Sequence, residues 1–367
     1  MYRLMTSAIV LLTLLLTHSA YGQSSTTPSK TKPAANQASA EPSSAKQTKS
    51  QTESQAQTES QAQANASKSR SFRFTYGVTL TELEQGKTVK VWIPLATDTP
   101  DQKVVVESVR LPAIPQMTVE KKFGNHLLYF EAQARENGEL PLQVDYRITR
   151  REITAANYES AGKDDQKWLN ESKLVPNSEK LRQAVLSDAN SKGSPLELAQ
   201  RLYQGVGKHM KYDKPADKPG WGKGDAVWAC DNGFGNCTDF HSLFISSARS
   251  LKIPAKFEIG FPIPTQHGAG EVGGYHCWAK FLSEGKWVPV DISEADKNPE
   301  LAQYFFGNLT EDRVSFSTGR DLELVPAPAA KTVNYLAYPY VEVEGKRHTK
   351  FRKEFRYEDL QKGQGGK

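Results

Sequence analysis

Three residues whose side chains can together perform acyl transfer stand in order along the chain: Cys237, His276 and Asp291. Cys237 follows the glycine-rich stretch Gly233-Phe-Gly-Asn236 and begins a run whose apolar residues recur at helical spacing. The first turn of a helix has unpaired N–H groups, so a thiolate placed there is stabilised and its pKa falls from about 8.5. The same N–H groups can bind the oxyanion of a tetrahedral intermediate. The position of Cys237 therefore predicts a nucleophilic thiol.

A base for this thiol, and a group that orients the base, follow in the sequence. His276 begins the run HCWAKF and Asp291 ends the run WVPVD, and both runs have the composition of strands. We predict that the two strands pair as a hairpin through a turn at residues 283–285. A register that sets Leu282 opposite Lys286 brings Asp291 to within one position of His276. The spacing thus predicts His276 as the general base and Asp291 as its partner.

The segments around these residues, GNCTDFHSLF, GYHCWAKF and WVPVDISEA, resemble the exported bacterial branch of the transglutaminase-like superfamily. The family pattern is a cysteine at a helix start with an acidic residue two positions later, a histidine on a strand and an aspartate on the next strand. The segment LKIPAKFEIGF also resembles the family, from which Lys252 and Lys256 depart conservatively. The resemblance implies a papain-like Cys-His-Asp site that acts on amides. Calcium dependence is not expected, because the sequence has no cluster of acidic oxygen ligands, and no other cofactor is predicted.

Neighbouring side chains receive supporting roles. Asp239 is predicted to bond within the first turn of the helix, and His241 is predicted to be structural, because His276 has the better geometry for a base. Trp278 is expected to form a wall of the site. In animal transglutaminases a tryptophan upstream of the cysteine donates a hydrogen bond to the oxyanion, so the resemblance implies Trp228 and Trp221 as candidate donors. Asn236, directly before Cys237, is a third candidate. Two further carboxylates are alternatives to Asp291, namely Glu294 and Asp296.

The chain has three cysteines, an odd number that favours a free reactive thiol. Cys277 follows His276 directly on a predicted strand, so it is expected to point to the opposite face and to stay out of the site. Cys230 and Cys277 either form a disulfide or remain unpaired. A zinc site built from Cys230, Cys237, His241 and Cys277 is a weaker alternative, because its cysteine spacing departs from that of known zinc sites. We therefore predict no metal.

The patterning predicts an α+β protein. Apolar residues alternate with polar ones over residues 71–153, which indicates a β-sandwich-like domain. Residues 154–345 are predicted to form the papain-like transglutaminase core, in which helices pack on an antiparallel sheet, and residues 346–367 a C-terminal strand and tail. Strands are predicted over 255–261, 276–282, 286–292, 333–343 and 351–357. Glycines within 262–274 suggest a mobile flap beside His276 that selects the substrate.

The N-terminal sequence predicts export. Residues 1–22 have a basic start, a short apolar run and small residues before a cleavage point, as in a signal peptide. Residues 23–70 lack large apolar side chains and are predicted to be a disordered linker. The net charge of +5 is spread out, so nucleic-acid binding is not expected. No apolar run is long enough to predict a stable membrane span. We predict a periplasmic or secreted thiol enzyme that cleaves or transfers amide bonds of peptides or proteins, with hydrolysis preferred. The alternative is a weakly catalytic envelope module that holds a peptide or glycan.

Overall fold

The computed structural model describes residues 67–360. The predicted signal peptide and nearly all of the predicted linker lie outside the described residues, as do residues 361–367. The linker was predicted to reach residue 70, but Ser69 and Arg70 already belong to the first strand. Within 67–360, no helix is long and apolar enough to cross a bilayer.

Two five-stranded antiparallel sheets form the sandwich. The strands of the first sheet are β1 (Ser69–Leu80), β3 (Gln102–Arg110), β6 (Leu140–Arg151), β11 (Ala269–Val272) and β17 (Phe351–Asp359). The strands of the second are β2 (Thr88–Pro94), β4 (Gln116–Val119), β5 (His126–Gln133), β15 (Tyr340–Val343) and β16 (Lys346–His348). Their spatial orders are β11-β17-β1-β6-β3 and β16-β15-β2-β5-β4.

The alternation of apolar and polar residues in the sequence reflects the packing of this sandwich. Every second side chain of β1 from Phe72 to Leu80 is buried, and these side chains pack against those of β2, β5 and β6 in one hydrophobic core. Each large apolar side chain removed from water in this way contributes about 1.5–3 kcal/mol. The prediction of a β-sandwich-like domain is confirmed in its architecture.

Strands from the end of the chain complete both sheets, which the sequence analysis did not anticipate. Strand β17 pairs with β1, with Phe74 opposite Tyr357, and β15 pairs with β2, with Val91 opposite Val341. The predicted limits at residues 153 and 345 therefore do not separate the sandwich from the core. The periodicity within a strand does not reveal which distant strand pairs with it, so the contribution of β15 and β17 to the sandwich was not predicted.

The core consists of a third sheet with helices packed on it, so the α+β class is confirmed. Its strands are β7 (Glu159–Ser160), β10 (Ala255–Pro262), β12 (His276–Ser283), β13 (Lys286–Val290) and β14 (Arg313–Thr318), in the order β14-β10-β12-β13-β7. Two short parallel strands, β8 (Lys211–Tyr212) and β9 (Phe234–Gly235), lie apart from it. The helices are α1 (Glu179–Val185), α2 (Pro195–His209), α3 (Ala226–Asn232), α4 (Cys237–Ser250) and α5 (Ile292–Lys297). Short 3-10 turns occur at Ala155–Asn157, Asp165–Leu169, Asp188–Asn190 and Pro299–Leu301.

Helix α4 is the central helix of the core. All its residues from Cys237 to Arg249 are buried. It packs against the neighbouring helices and, on its sheet side, against β12 and β10. This burial fixes the N-terminus of α4, and with it the first side chain of the helix, over the beginning of β12.

Candidate active site

Cys237 is the first residue of α4, and local hydrogen bonds explain why the helix begins there. Asn236 is the N-cap: its side-chain oxygen accepts from the Thr238 N–H at 2.9 Å, and Asp239 accepts from the Asn236 N–H at 2.9 Å. This reciprocal arrangement is a capping box. The N–H of Cys237 has no partner within the helix, because the first N–H groups of any helix lack one. The predicted helix-start position of the thiol is confirmed.

Asp239 also anchors the glycine loop that precedes the cysteine. Its fully buried carboxylate accepts from the N–H of Gly222 at 2.6 Å and from that of Gly224 at 3.0 Å. Both glycines have positive φ, which glycine adopts without strain. Burial raises the pKa of Asp239 to about 6, although the backbone hydrogen bonds oppose this rise. The predicted bond within the first turn is present, and the link to the loop is an additional finding.

His276 and Asp291 are in direct contact. Nε2 of His276 lies 2.7 Å from Oδ2 of Asp291, and both side chains are buried. Nδ1 of His276 is therefore the nitrogen left to exchange a proton with a thiol. Asp291 is the N-cap of α5, where its other oxygen accepts from the Glu294 N–H at 3.1 Å. The prediction that these two residues are neighbours is confirmed.

The hairpin that brings them together has a different register from the predicted one. Leu282 pairs with Trp287, not with Lys286, because the turn has two residues, Glu284 and Gly285, both with positive φ. Two-residue turns of this kind match the twist of the flanking strands. Extending the observed register sets Asp291 opposite Trp278 and on the same face as His276. The contact between His276 and Asp291 is thus diagonal across the two strands. The second strand was predicted to extend to residue 292, but Asp291 already caps α5.

The surroundings set the protonation states of these three residues. Burial disfavours the thiolate of Cys237, but hydrogen bonds from Cys277 and His276 and the charge of His276 outweigh burial, and the pKa of Cys237 lies well below its ordinary value. Burial opposes the charged form of His276 as well, yet Asp291 raises the pKa of His276 to about 10. The pKa of Asp291 is lowered by His276 and Arg313 against the effect of its own burial. These shifts favour an ion pair of a Cys237 thiolate and a His276 imidazolium beside the Asp291 carboxylate.

His241 is held at both ring nitrogens by hydrogen bonds, which define its tautomer. Nδ1 lies 2.7 Å from the Cys237 carbonyl oxygen, so it carries the proton and donates it; Nε2 accepts from the Ile292 N–H at 3.1 Å. Burial lowers the pKa of His241, which keeps the ring neutral. Since both nitrogens are occupied, His241 cannot act as a base for the thiol.

Cys277 was predicted to stay out of the site, and this was wrong. Its Sγ lies 3.7 Å from Nδ1 of His241, the nitrogen that also contacts the Cys237 carbonyl oxygen, and the Cys277 thiol lowers the pKa of Cys237. Alternation along β12 does turn Cys277 away from the face of His276, but that other face packs under α4, where Cys237 begins the helix. His276 is the first residue of β12, so at this end of the strand side chains from both faces of β12 lie near the start of α4.

Replacing Cys277 by alanine is expected to raise the pKa of Cys237. A hydrogen bond to a charged group contributes about 1.5–3 kcal/mol, so the rate of alkylation by iodoacetamide at weakly acidic pH should fall roughly tenfold or more. The measurement is the pH dependence of that rate, followed by mass spectrometry of the Cys237 peptide. Cys230→Ala is the matched control and should leave the profile unchanged. Identical profiles for Cys277→Ala and the unmodified chain would rule out this hydrogen bond.

The three candidate oxyanion donors are placed differently. Trp221 donates its indole N–H to the Pro215 carbonyl at 3.1 Å and is therefore occupied. The Trp228 indole packs edge-on against Phe234 and lies against Gly220. Asn236 is adjacent to the thiol and donates one amide hydrogen to the hydroxyl of Tyr275 at 3.0 Å. Asn236 is also the N-cap of α4.

Arg313 is a residue of the site that the sequence analysis missed. Its Nη1 lies 3.2 Å from Oδ2 of Asp291, and its guanidinium lies 5.0 Å from the ring of Trp278. Trp278 in turn donates its indole N–H to Glu258 at 2.7 Å, so it forms a wall behind His276, as predicted. Nothing in the local sequence of Arg313 marks it, because its partners come from other strands. The alternative partner Glu294 approaches His276 only to 3.8 Å, and Asp296 instead accepts from the Tyr212 N–H.

All three thiols are free in the structure: Cys230 is half-buried in α3, while Cys237 and Cys277 are buried. Across residues 67–360, no group of histidine, cysteine, aspartate and glutamate side chains is arranged to hold a metal ion. The contact between His276 and Asp291 and the lowered pKa of Cys237 are those of a thiolate beside an oriented imidazolium, which can attack a carbonyl carbon and protonate a leaving group.

Comparisons with known proteins find similarity over the segment that holds this site. Residues 183–292 match the model of the transglutaminase-like superfamily. An uncharacterized protein of Haemophilus influenzae is 32% identical over 203 residues, which are 46% of this chain and 54% of that protein. The chain thus spans about half the length of this curated relative.

One solved structure shares the fold. A candidate cysteine protease from Cytophaga hutchinsonii aligns with a TM-score of 0.50 and 15% identity, over 80% of this chain and 98% of the other. The periplasmic domain of TgpA from Pseudomonas aeruginosa aligns with a TM-score of only 0.31 and 15% identity, over 65% and 94% of the two chains.

Proposed function

Since the chain carries a core of the transglutaminase-like superfamily at residues 183–292, we propose that it is a thiol enzyme that acts on amide bonds of peptides or proteins. Cys237 is the nucleophile, His276 the acid and base, and Asp291 the group that orients His276. The observation that carries this assignment is the 2.7 Å contact between His276 and Asp291 beside a thiol of lowered pKa.

The first half of the reaction forms a thioester. The Cys237 thiolate attacks the carbonyl carbon of the amide, and the carbonyl electrons move to oxygen to give a tetrahedral oxyanion. The unpaired N–H of Cys237 at the start of α4 is the donor that fits this oxyanion. As the intermediate collapses, the C–N bond breaks and His276 transfers its Nδ1 proton to the leaving amine. Asp291 stabilises the imidazolium until that transfer.

The second half returns the thiolate. His276, now neutral, accepts a proton from water or from an amine as that molecule attacks the thioester carbonyl. Collapse of the second intermediate releases a carboxylic acid or a new amide, with the electron pair returning to Cys237. Water is the acceptor in this proposal, because it needs no binding site of its own and because the chain resembles exported bacterial members that are mainly hydrolases.

The proposed compartment is the periplasm or the exterior. This rests on the leader-like sequence of residues 1–22, which precede the described part of the chain, and on the linker-like composition that follows. A peptide or protein of the cell envelope is therefore the proposed substrate.

A peptide library incubated in water enriched in oxygen-18, with and without a fluorescent primary amine, tests the reaction. Hydrolysis puts the heavy isotope into new carboxyl ends, whereas transfer puts the amine into the product, and mass spectrometry separates the two. Iodoacetamide labelling near neutral pH supplies the second readout. If Cys237 reacts no faster than Cys230 or Cys277 and no product forms, the chain is not a thiol enzyme.

The rate should be nearly constant over a broad range of pH. The active state needs Cys237 deprotonated and His276 protonated, and it exists between the lowered pKa of Cys237 and the pKa of His276 at about 10. We expect kcat/KM to rise well below pH 9 with deprotonation of the thiol and to fall near pH 10 with deprotonation of the imidazolium. A stopped assay from about pH 4 to about pH 11 measures both limbs. A rising limb at the ordinary pKa of a thiol would contradict the ion pair.

A further inference from the structure

Tyr275 is a polar residue beside the thiol that the reaction described above does not use. It directly precedes His276 in the chain, and its hydroxyl lies 3.0 Å from Nδ2 of Asn236, the residue before Cys237. Its half-buried side chain packs against the hydrophobic core that contains Cys237. Tyr275 is therefore tied to the base through the chain and to the nucleophile through Asn236.

The ring of Tyr275 is held in one place by two other tyrosines. The hydroxyl of Tyr338 accepts from the Tyr275 N–H at 3.1 Å. The ring centroids of Tyr335 and Tyr338 lie 5.9 Å and 5.5 Å from that of Tyr275. A donor that is fixed before the substrate arrives needs no reorganisation during the reaction, and this is the property of an oxyanion site.

The hydrogen bonds of Tyr275 show where its proton can go. Among the described residues, the hydroxyl has two partners, Asn236 and Tyr335. The amide nitrogen of Asn236 can only donate, so the oxygen of Tyr275 accepts from it. Tyr335 donates its own proton to the Gly222 carbonyl oxygen at 2.6 Å, so towards Tyr335 the donor is Tyr275. That contact is 3.4 Å long, beyond the roughly 2.5–3.0 Å of an ordinary O–H···O bond. The proton of Tyr275 is thus weakly bound and can turn to a stronger acceptor.

The hydroxyl of Tyr275 is left uncovered on the side of Gly222. A Cβ atom at position 222 would lie 3.2 Å from Nδ2 of Asn236 and 3.9 Å from the hydroxyl oxygen of Tyr275. Glycine has no such atom, and Gly222 is itself only half-buried. The missing side chain therefore leaves room for a substrate atom beside the amide and the hydroxyl.

Tyr275 keeps its proton under the conditions in which the thiol is active. Burial above all, and then the neighbouring Tyr335 and the charge of Cys237, raise the pKa of Tyr275. The hydroxyl therefore stays a donor over the whole pH range in which Cys237 is deprotonated and His276 is protonated.

We propose that Tyr275 is a second oxyanion donor, beside the backbone N–H of Cys237. When the thiolate adds to the amide carbonyl carbon, the carbonyl electrons move to oxygen, and the hydroxyl of Tyr275 turns from Tyr335 to donate a hydrogen bond to that oxygen. The proton stays on Tyr275 throughout. The bond that Asn236 donates to the same hydroxyl polarises it and makes it a stronger donor. This inference rests on the proposed function at Cys237.

Tyr275→Phe tests the proposal, because it removes the hydroxyl and keeps the ring. We expect kcat to fall by about 10²-fold or more, with KM changed by less than about threefold, since the bond forms fully only in the transition state. The pH profile of Cys237 alkylation by iodoacetamide should stay unchanged, because that reaction forms no oxyanion. Tyr158→Phe is the matched control: it removes a hydroxyl that donates to the Gly307 carbonyl at 2.7 Å elsewhere in the core, and it should leave kcat unchanged.

Peptide aldehydes test the same donor without turnover. An aldehyde forms a hemithioacetal with Cys237, in which an Sγ–C bond is made and the carbonyl electrons move to oxygen. For a set of N-acetyl-dipeptide aldehydes, the affinity is measured as protection of Cys237 from iodoacetamide. We expect Tyr275→Phe to weaken this protection by about tenfold or more, and Tyr158→Phe to leave it unaltered.

The outcomes separate this inference from the proposed function. Equal protection of the unmodified and Tyr275→Phe chains, or an equal kcat, overturns the role of Tyr275 and leaves the thiol enzyme standing. A change in KM alone, or an equal loss in Tyr158→Phe, overturns it as well, because either result assigns Tyr275 to substrate binding or to the fold. If no aldehyde protects even the unmodified chain and no peptide is cleaved, the proposed function fails, and this inference fails with it.

Discussion

Replacing Cys237 by alanine is expected to lower the rate of amide cleavage by roughly 10⁴-fold or more, since the thioester cannot form without Sγ. No other thiol among residues 67–360 can take its place. Cys230 lies in α3, and burial raises its pKa; burial and the neighbouring Cys237 raise the pKa of Cys277. The measurement is the single-turnover rate on a peptide that the unmodified chain cleaves.

The fold should tolerate this change. The cap of α4 is made by Asn236 and Asp239, and alanine is an excellent helix former. The free energy of unfolding should therefore change by only about 1 kcal/mol. Cys230→Ala is the matched control, because it removes the same atom from a half-buried thiol nearby, and it should leave the rate unchanged. A Cys237→Ala chain that retains full activity would remove Cys237 from the mechanism.

The start of α4 could be predicted from sequence because its determinants are local. The N-cap Asn236, the acidic residue at Asp239 and the apolar run that follows lie within one short segment. The determinants of the start of α2 are equally local: Ser194 and Glu197 form a capping box, and Pro195 occupies the first helical position. The stabilisation of a thiolate at such a helix start follows from the local sequence and from the dipole of the helix alone.

The features that were missed depend on contacts between distant segments. Arg313 lies on β14, and its role exists only because β14 pairs with β10, which pairs with β12. The glycine-rich segment after Phe261, for which a mobile flap was predicted, contains β11, which pairs with β17, and Arg70 donates to the carbonyls of Pro264 and Gln266. No periodicity within 262–274 reveals partners at residues 70 and 355–358. The sequence therefore predicted the residues of the site better than the long-range contacts that hold them in place.

Replacing Asp291 by asparagine is expected to lower kcat/KM by roughly 10³- to 10⁴-fold, because the neutral amide neither stabilises the imidazolium nor fixes its orientation. The falling limb of the pH profile should move from about pH 10 towards about 6.5, the ordinary pKa of histidine. Arg313 would also lose its buried counter-charge, which destabilises the fold by up to about 3–5 kcal/mol. Rate, pH profile and thermal unfolding are therefore all measured on the same preparation.

Glu294→Gln separates the role of Asp291 from a general effect of charge. Glu294 lies 3.8 Å from Nε2 of His276 and is paired with Lys297 at the surface, where such interactions contribute about 0–1 kcal/mol. We expect at most about a fivefold loss of rate and no shift of the falling limb. Equal losses in the two variants would mean that the negative charge near His276, and not the buried contact with Asp291, sets the pKa of the imidazole. A shift in the Asp291→Asn chain alone would assign that role to the one carboxylate that caps α5 and bonds to His276.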